Sequence, residues 1–120
     1  MTTDLKTKIM EYYTFLDEGE VDKTLKIFSS DAVYKRCEEV YLGKREIVEF
    51  FTKKLTLKGT HTILKINQDD DTITVRGIFE GVNGESKEVR EFFCDIFTFN
   101  KEDLVYTRET YLARGSQIIS

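Results

Sequence analysis

The 120-residue chain has no proline, a single histidine and two cysteines. Without proline nothing reads as a stiff linker, and no low-complexity run marks a disordered segment. Residues 1–120 are therefore expected to form one domain around one core. No window holds more than two adjacent basic residues, and the net charge is −4 with a pI of about 5.1. Both facts argue against a nucleic-acid partner, which needs a basic stripe, and against an anionic membrane surface. No apolar run approaches the ~20 residues of a membrane span. The opening Met-Thr-Thr-Asp-Leu-Lys lacks the apolar core of a signal peptide. Cys37 and Cys94 stand alone, without metal or redox spacing, and read as reduced, buried thiols. A cytoplasmic location is the expectation. With His61 as the only histidine, histidine-based metal sites and Ser-His-Asp triads have little support. Asp69-Asp70-Asp71 lacks the spacing of a calcium loop, and Gly77, Gly81 and Gly84 do not form a phosphate cradle leading into a helix. No metal and no cofactor is expected.

Aromatic residues are plentiful: nine Phe and six Tyr are available to line a core or an apolar cavity. Leu5, Ile9, Tyr12, Tyr13 and Leu16 recur with a helical period, with Thr3 or Asp4 able to cap the start and Gly19 marking the end. Val21, Leu25 and Phe28 give a short second helix, and Ile47, Phe50, Phe51 and Leu55 a third, with a strand over Ala32–Cys37 between them. From Gly59 onward the period becomes two. Strands are predicted over Thr60–Asn67, Thr72–Val82, Lys87–Phe99 and Leu104–Arg114, with a two-residue hairpin at Asn83-Gly84. Helices followed by a meander of strands mean an α+β fold, with the helices on one face of an antiparallel sheet.

The long strand is apolar on both faces. Helices of this chain can cover only one of them, so the face with Phe92, Cys94 and Ile96 is expected to pack on a second copy. The other face carries Phe93, Phe97 and Phe99 and, among them, Asp95. A lone carboxylate there must be hydrogen-bonded or have a raised pKa, and loss of hydration predicts a raised one. Asp95 is either a pocket acid acting on a ligand or a buried Asp satisfied by a hydroxyl or amide. Tyr12 is on the buried stripe of the first helix, where a core role with one polar partner is the commoner fate. Glu109 shares a face with Val105, Thr107 and Tyr111, opposite Leu104, Tyr106, Arg108, Thr110 and Leu112. Neither face is cleanly polar, so Glu109 is either a second pocket carboxylate or a solvated charge. Arg36, ending the first strand, reaches solvent or the pocket mouth.

Several stretches together resemble the nuclear transport factor 2-like superfamily, in its SnoaL-like and ketosteroid-isomerase-like branch. They are Tyr12-Tyr13-Thr14-Phe15-Leu16-Asp17-Glu18-Gly19-Glu20, Phe28-Ser29-Ser30-Asp31-Ala32-Val33 and Leu42-Gly43-Lys44-Arg45-Glu46-Ile47. The final sheet adds Phe93-Cys94-Asp95-Ile96-Phe97-Thr98-Phe99 and Tyr106-Thr107-Arg108-Glu109-Thr110-Tyr111-Leu112. The resemblance spans nearly the whole chain and is specific for the fold more than for an activity. It implies a cone (cystatin-like, NTF2-like): a curved antiparallel sheet wrapped around three N-terminal helices, an apolar cavity between them, and homodimerisation through the outer face of the sheet.

The resemblance also implies roles. Tyr12, seven residues before Gly19, falls where the isomerases place an oxyanion-binding tyrosine, and Asp95 where they keep a protonated aspartic acid. Five residues after Asp31, where they carry the aspartate base, this chain has Arg36, which cannot shuttle a proton. Glu109 falls where limonene-epoxide-hydrolase-like relatives place a carboxylate. Ile78 and Glu80 occupy that family's other catalytic positions, so its arginine is unmatched. Cyclases of the SnoaL type use an acid and a histidine, and His61 does not occupy the matching late-strand position. The expectation is a small-molecule enzyme of isomerase, cyclase or hydrolase type. Tyr12 and Asp95 would polarise a ligand oxygen, with Glu109 as base. Arg36, Phe93, Phe97, His61 and Tyr111 would contact a small apolar or partly anionic ligand. The rivals are a non-catalytic binding domain and a dimerising module of the same fold.

Overall fold

The computed structural model describes residues 4–114. Helix α1 (Leu5–Asp17) buries Ile9, Tyr12 and Tyr13 and stops at Gly19, whose φ of 74° suits a residue without a side chain. Helix α2 (Val21–Leu25) follows at once. Strands β1 (Phe28–Arg36) and β2 (Glu39–Leu42) then form a hairpin not foreseen from the sequence, turning at Cys37, which has a φ of 53°. Helix α3 (Gly43–Glu49) widens into a π-helical turn over Phe50–Lys54. Strands β3 (Lys58–Asp69), β4 (Thr72–Val82), β5 (Glu88–Phe99) and β6 (Val105–Leu112) complete the chain.

The six strands form one curved, unclosed sheet in the order β2-β1-β6-β5-β4-β3. The pairings are antiparallel except β1 with β6, which is parallel because the chain runs through β2, α3 and the whole β3–β6 meander before returning beside β1. Three irregularities interrupt the ladders: between Phe28 and Val33 of β1, at Leu64 of β3, and at Tyr106 of β6. Such bulges bend and twist strands, as a sheet that curls over helices requires. Asn83-Gly84 does not make a two-residue hairpin. Residues 83–87 form a wider loop in which the Asn83 side-chain oxygen accepts the amides of Glu85 and Lys87, with Ser86 at a φ of 61°.

The concave face of the sheet meets α1, α3 and the π-helical turn. Ile9, Tyr12, Phe28, Tyr34, Ile47, Phe50, Ile73, Val75, Phe97, Phe99 and Val105 are all but fully buried there. Gly77 of β4 has a packing reason: a Cβ on it would come within 2.5 Å of the Thr62 carbonyl oxygen and 2.6 Å of the Phe93 ring. Its bareness lets Phe93 lie against β4. Among the described residues no helix is long and apolar enough to cross a membrane.

Candidate functional site

Between the helices and the concave face lies a cavity of about 440 Å³, within the range of about 300–1,000 Å³ usual for small-ligand pockets. Its deep wall includes Tyr34 and Arg36 from β1, Phe50 from the π-helical turn, Phe93 and Asp95 from β5, and Arg108 and Thr110 from β6. Exposed Glu18, Gly19, Val21 and Lys58 mark the mouth.

The deep wall is polar and continuously hydrogen-bonded. Asp95 is 1% exposed. Its Oδ2 accepts from the Tyr13 hydroxyl (2.5 Å) and from Arg108 Nη2 (3.0 Å), and its Oδ1 accepts from the Thr110 hydroxyl (2.5 Å). Thr110 in turn accepts from the Tyr34 hydroxyl (3.1 Å), which accepts from Arg36 Nη1 (3.1 Å). Arg108 also donates to the Tyr12 hydroxyl and is stacked among the rings of Tyr12, Tyr34 and Phe97. A chain of donors thus runs from Arg36 to Asp95, and a second cation, Arg108, closes on the same carboxylate.

These partners reverse the expected titration of Asp95. Burial pushes its carboxyl up, but the facing Arg108 guanidinium, with the Thr110, Tyr13 and Arg108 hydrogen bonds, outweighs it and holds the pKa below the ordinary 3.8. Asp95 is ionised, not a protonated donor. Burial works against the charge of Arg108, yet Asp95 and the neighbouring phenols keep its pKa well above the ordinary value. The Tyr12 and Tyr13 hydroxyls are raised, chiefly by burial, and stay neutral, Tyr13 donating to Asp95 and Tyr12 accepting from Arg108.

Arg36 is the odd member. It is 6% exposed, its guanidinium lies 5.4 Å from the Phe50 ring centre, and its Nε, like that of Arg108, has no hydrogen-bond partner among the described residues. No carboxylate of the described residues forms an ion pair with it. Two guanidiniums and one carboxylate on the deep wall leave one positive charge without a counter-ion.

The sequence-derived candidates separate accordingly. Arg36, His61, Phe93 and Asp95 line the cavity. Tyr12 is behind the wall and reaches Arg108, whereas it is Tyr13, next along the helix, that reaches Asp95. Phe97 is fully buried beneath the wall against Tyr12, Tyr13 and Arg108. Glu109 and Tyr111 stand opposite Ile96 and Cys94 in the β5–β6 ladder, on the outer face, where the Tyr111 hydroxyl bonds Glu109 (2.7 Å). Neither belongs to the cavity. The cause is the bulge at Tyr106: it shifts the alternation of β6, so that Val105 and then Arg108, Thr110 and Leu112 face inward. Arg108, Tyr34, Thr110 and Asp17 escaped the sequence reading. The one available signal was a carboxylate and a guanidinium on successive strands, the carboxylate in an otherwise apolar stretch.

A model of the SnoaL-like domain family matches residues 9–107. No curated protein matches the sequence. Among solved structures, an NTF2-like protein of unknown function from Burkholderia pseudomallei is 12% identical, with a TM-score of 0.85 over 99% of both chains. The epoxide hydrolase/cyclase-like enzyme SalBIII of pyran-ring formation in the polyether salinomycin is 21% identical, with a TM-score of 0.81 over 91% of this chain and 90% of that one. An LEH-like epoxide hydrolase of M. tuberculosis is 14% identical, with a TM-score of 0.77 over 88% of this chain and 80% of that one. Identities this low speak for the shared fold alone. The family match spans most of the chain, and the protein belongs to the SnoaL-like domain family.

Proposed function

We propose that the protein binds a small, largely apolar molecule carrying one anionic or strongly electron-rich oxygen, and acts on it by cofactor-independent acid–base chemistry of hydrolase, cyclase or isomerase type. The observation that carries this reading is Arg36, a buried guanidinium that lines an aromatic cavity and forms no ion pair with any carboxylate of the described residues. Burying an unpaired charge is costly, and a ligand oxyanion relieves the cost. The Asp95–Arg108–Tyr34–Thr110 network fixes the wall around it, so that Arg36 meets the ligand without reorganisation. That SalBIII and the mycobacterial epoxide hydrolase share the fold is consistent with oxygen-centred chemistry in such a cavity. The test is titration with 2-cyano-4-nitrophenolate, an aromatic oxyanion. Binding that falls about 10- to 100-fold in Arg36→Met, as loss of a charged hydrogen-bond partner predicts, supports the reading. Equal affinity of the two proteins refutes it.

Engagement of both Asp95 oxygens by protein donors favours a second reading, in which the network only orients a ligand that is not transformed. Turnover assays separate the two. We further propose that the outer face of the sheet pairs two copies of the chain: Phe92, Tyr106 and Tyr111 are 52%, 41% and 51% exposed there, beside half-buried Cys94 and Ile96.

A further inference from the structure

A second polar pair lines the same cavity and takes no part in the Asp95 network. Asp17 ends α1, one turn beyond Tyr13, and His61 is near the start of the edge strand β3. Asp17 Oδ1 is 2.5 Å from His61 Nδ1, and its Oδ2 accepts the backbone amide of His61 at 2.9 Å. One carboxylate thus grips one residue twice and fixes the ring. The imidazole is further held among Tyr13, Phe79 and Phe93, with ring centres 5.2, 5.0 and 5.3 Å away. Both side chains are mostly sheltered, at 15% and 19% exposure. With Nδ1 donating to Asp17, Nε2 carries the lone pair and has no hydrogen-bond partner among the described residues.

We propose that His61, oriented by Asp17, is the proton-transfer group of this cavity. His61 Nε2 takes a proton from a carbon acid whose electron pair comes to rest on an oxygen beside Arg36. Asp17 is a positioning residue: it selects the tautomer and aims the ring, as a base-orienting carboxylate does. The substrate class is an apolar, ring-bearing carbon acid small enough for about 440 Å³. The proposal rests on the reading that the cavity holds an oxyanion at Arg36.

A probe that needs a base and an oxyanion partner, and nothing else, is 5-nitrobenzisoxazole. His61 Nε2 removes the ring C–H proton, the C–H electron pair completes a C≡N bond, the N–O bond breaks, and its pair leaves on oxygen as 2-cyano-4-nitrophenolate. The imidazolium then returns the proton to water. Release of the coloured phenolate measures turnover, and calorimetric binding of the phenolate itself measures the cavity. The wild-type protein is expected to turn the probe over. His61→Ala and the bulkier His61→Gln should lose about 100-fold or more of the rate while binding the phenolate within a few-fold. Added imidazole should restore part of the rate to His61→Ala, which a merely structural role would not produce. Asp17→Asn should lose less, roughly tenfold, because the ring remains but is no longer aimed. Phenolate binding without wild-type turnover, undiminished turnover in the His61 variants, or no rescue by imidazole overturns the proposal and leaves the cavity reading standing. Failure of the wild-type protein to bind the phenolate overturns both.

Discussion

At the scale of single residues, Asp95 shows what a sequence discloses and what it withholds. Its oddity among Phe93, Phe97 and Phe99 is legible in the chain; its protonation state is not, because the deciding partner is Arg108, thirteen positions later on the next strand. The consequence for stability has a definite sign. The folded-state pKa is below the ordinary 3.8, so the stabilising contribution of Asp95 is fully present above that value. It is lost as the pH falls through the folded-state pKa. Asp95→Asn should therefore destabilise the protein at neutral pH by about 3–5 kcal/mol, since it leaves Arg108 buried without its counter-ion. Urea denaturation should show the gap between the two proteins narrowing below about pH 4. An equally stable variant at pH 7 would mean that the carboxylate is neutral and the charge network wrongly described.

Elements were readable where one period runs unbroken. The apolar stripe of α1 locates its buried residues, Ile9, Tyr12 and Tyr13, and the alternation of β5 separates Phe93, Asp95 and Phe97 from Phe92, Cys94 and Ile96. Legibility fails where a backbone irregularity breaks the period. The bulge at Tyr106 shifts β6 by one residue, which sends Glu109 and Tyr111 to the outer face and hides Arg108 and Thr110 inside. Parallel pairing of β1 with β6 is likewise invisible to local pattern, because it is set by how the chain returns across the sheet. The close approach at Gly77 is an element-scale device with a direct test. Gly77→Ala places a methyl against the Thr62 carbonyl and the Phe93 ring, so β3, β4 or Phe93 must move. A loss of about 1–3 kcal/mol is expected in the denaturation midpoint, with weaker phenolate binding because Phe93 lines the cavity. An alanine variant with unchanged stability would contradict the packing described.

For the whole molecule, the resemblance carried by the dispersed segments anticipated the cone and its cavity. It put Asp95 and Arg36 at the cavity, which they line, but did not anticipate Tyr34, Arg108 and Thr110 beside them, since a shared architecture does not dictate which groups face inward. The outer aromatic patch predicts a dimer by light scattering at micromolar concentration. Ile96→Lys should convert it to monomer, as an unpaired charge in an apolar interface costs several kcal/mol, about 3 or more. A wild-type monomer would remove the proposed partner.

One pair of proteins tests the proposal that Arg36 is kept buried, without a counter-ion among the described residues, for a ligand rather than for the fold. Titration of the wild-type protein and Arg36→Met with 2-cyano-4-nitrophenolate, alongside their urea denaturation, reads both quantities. The expected result is a variant at least as stable as the wild type, because an uncompensated buried charge has been replaced by an apolar side chain of similar length, yet at least about tenfold weaker in binding. A variant that unfolds more easily while binding the phenolate as well as the wild type would contradict the account: Arg36 would then belong to the scaffold.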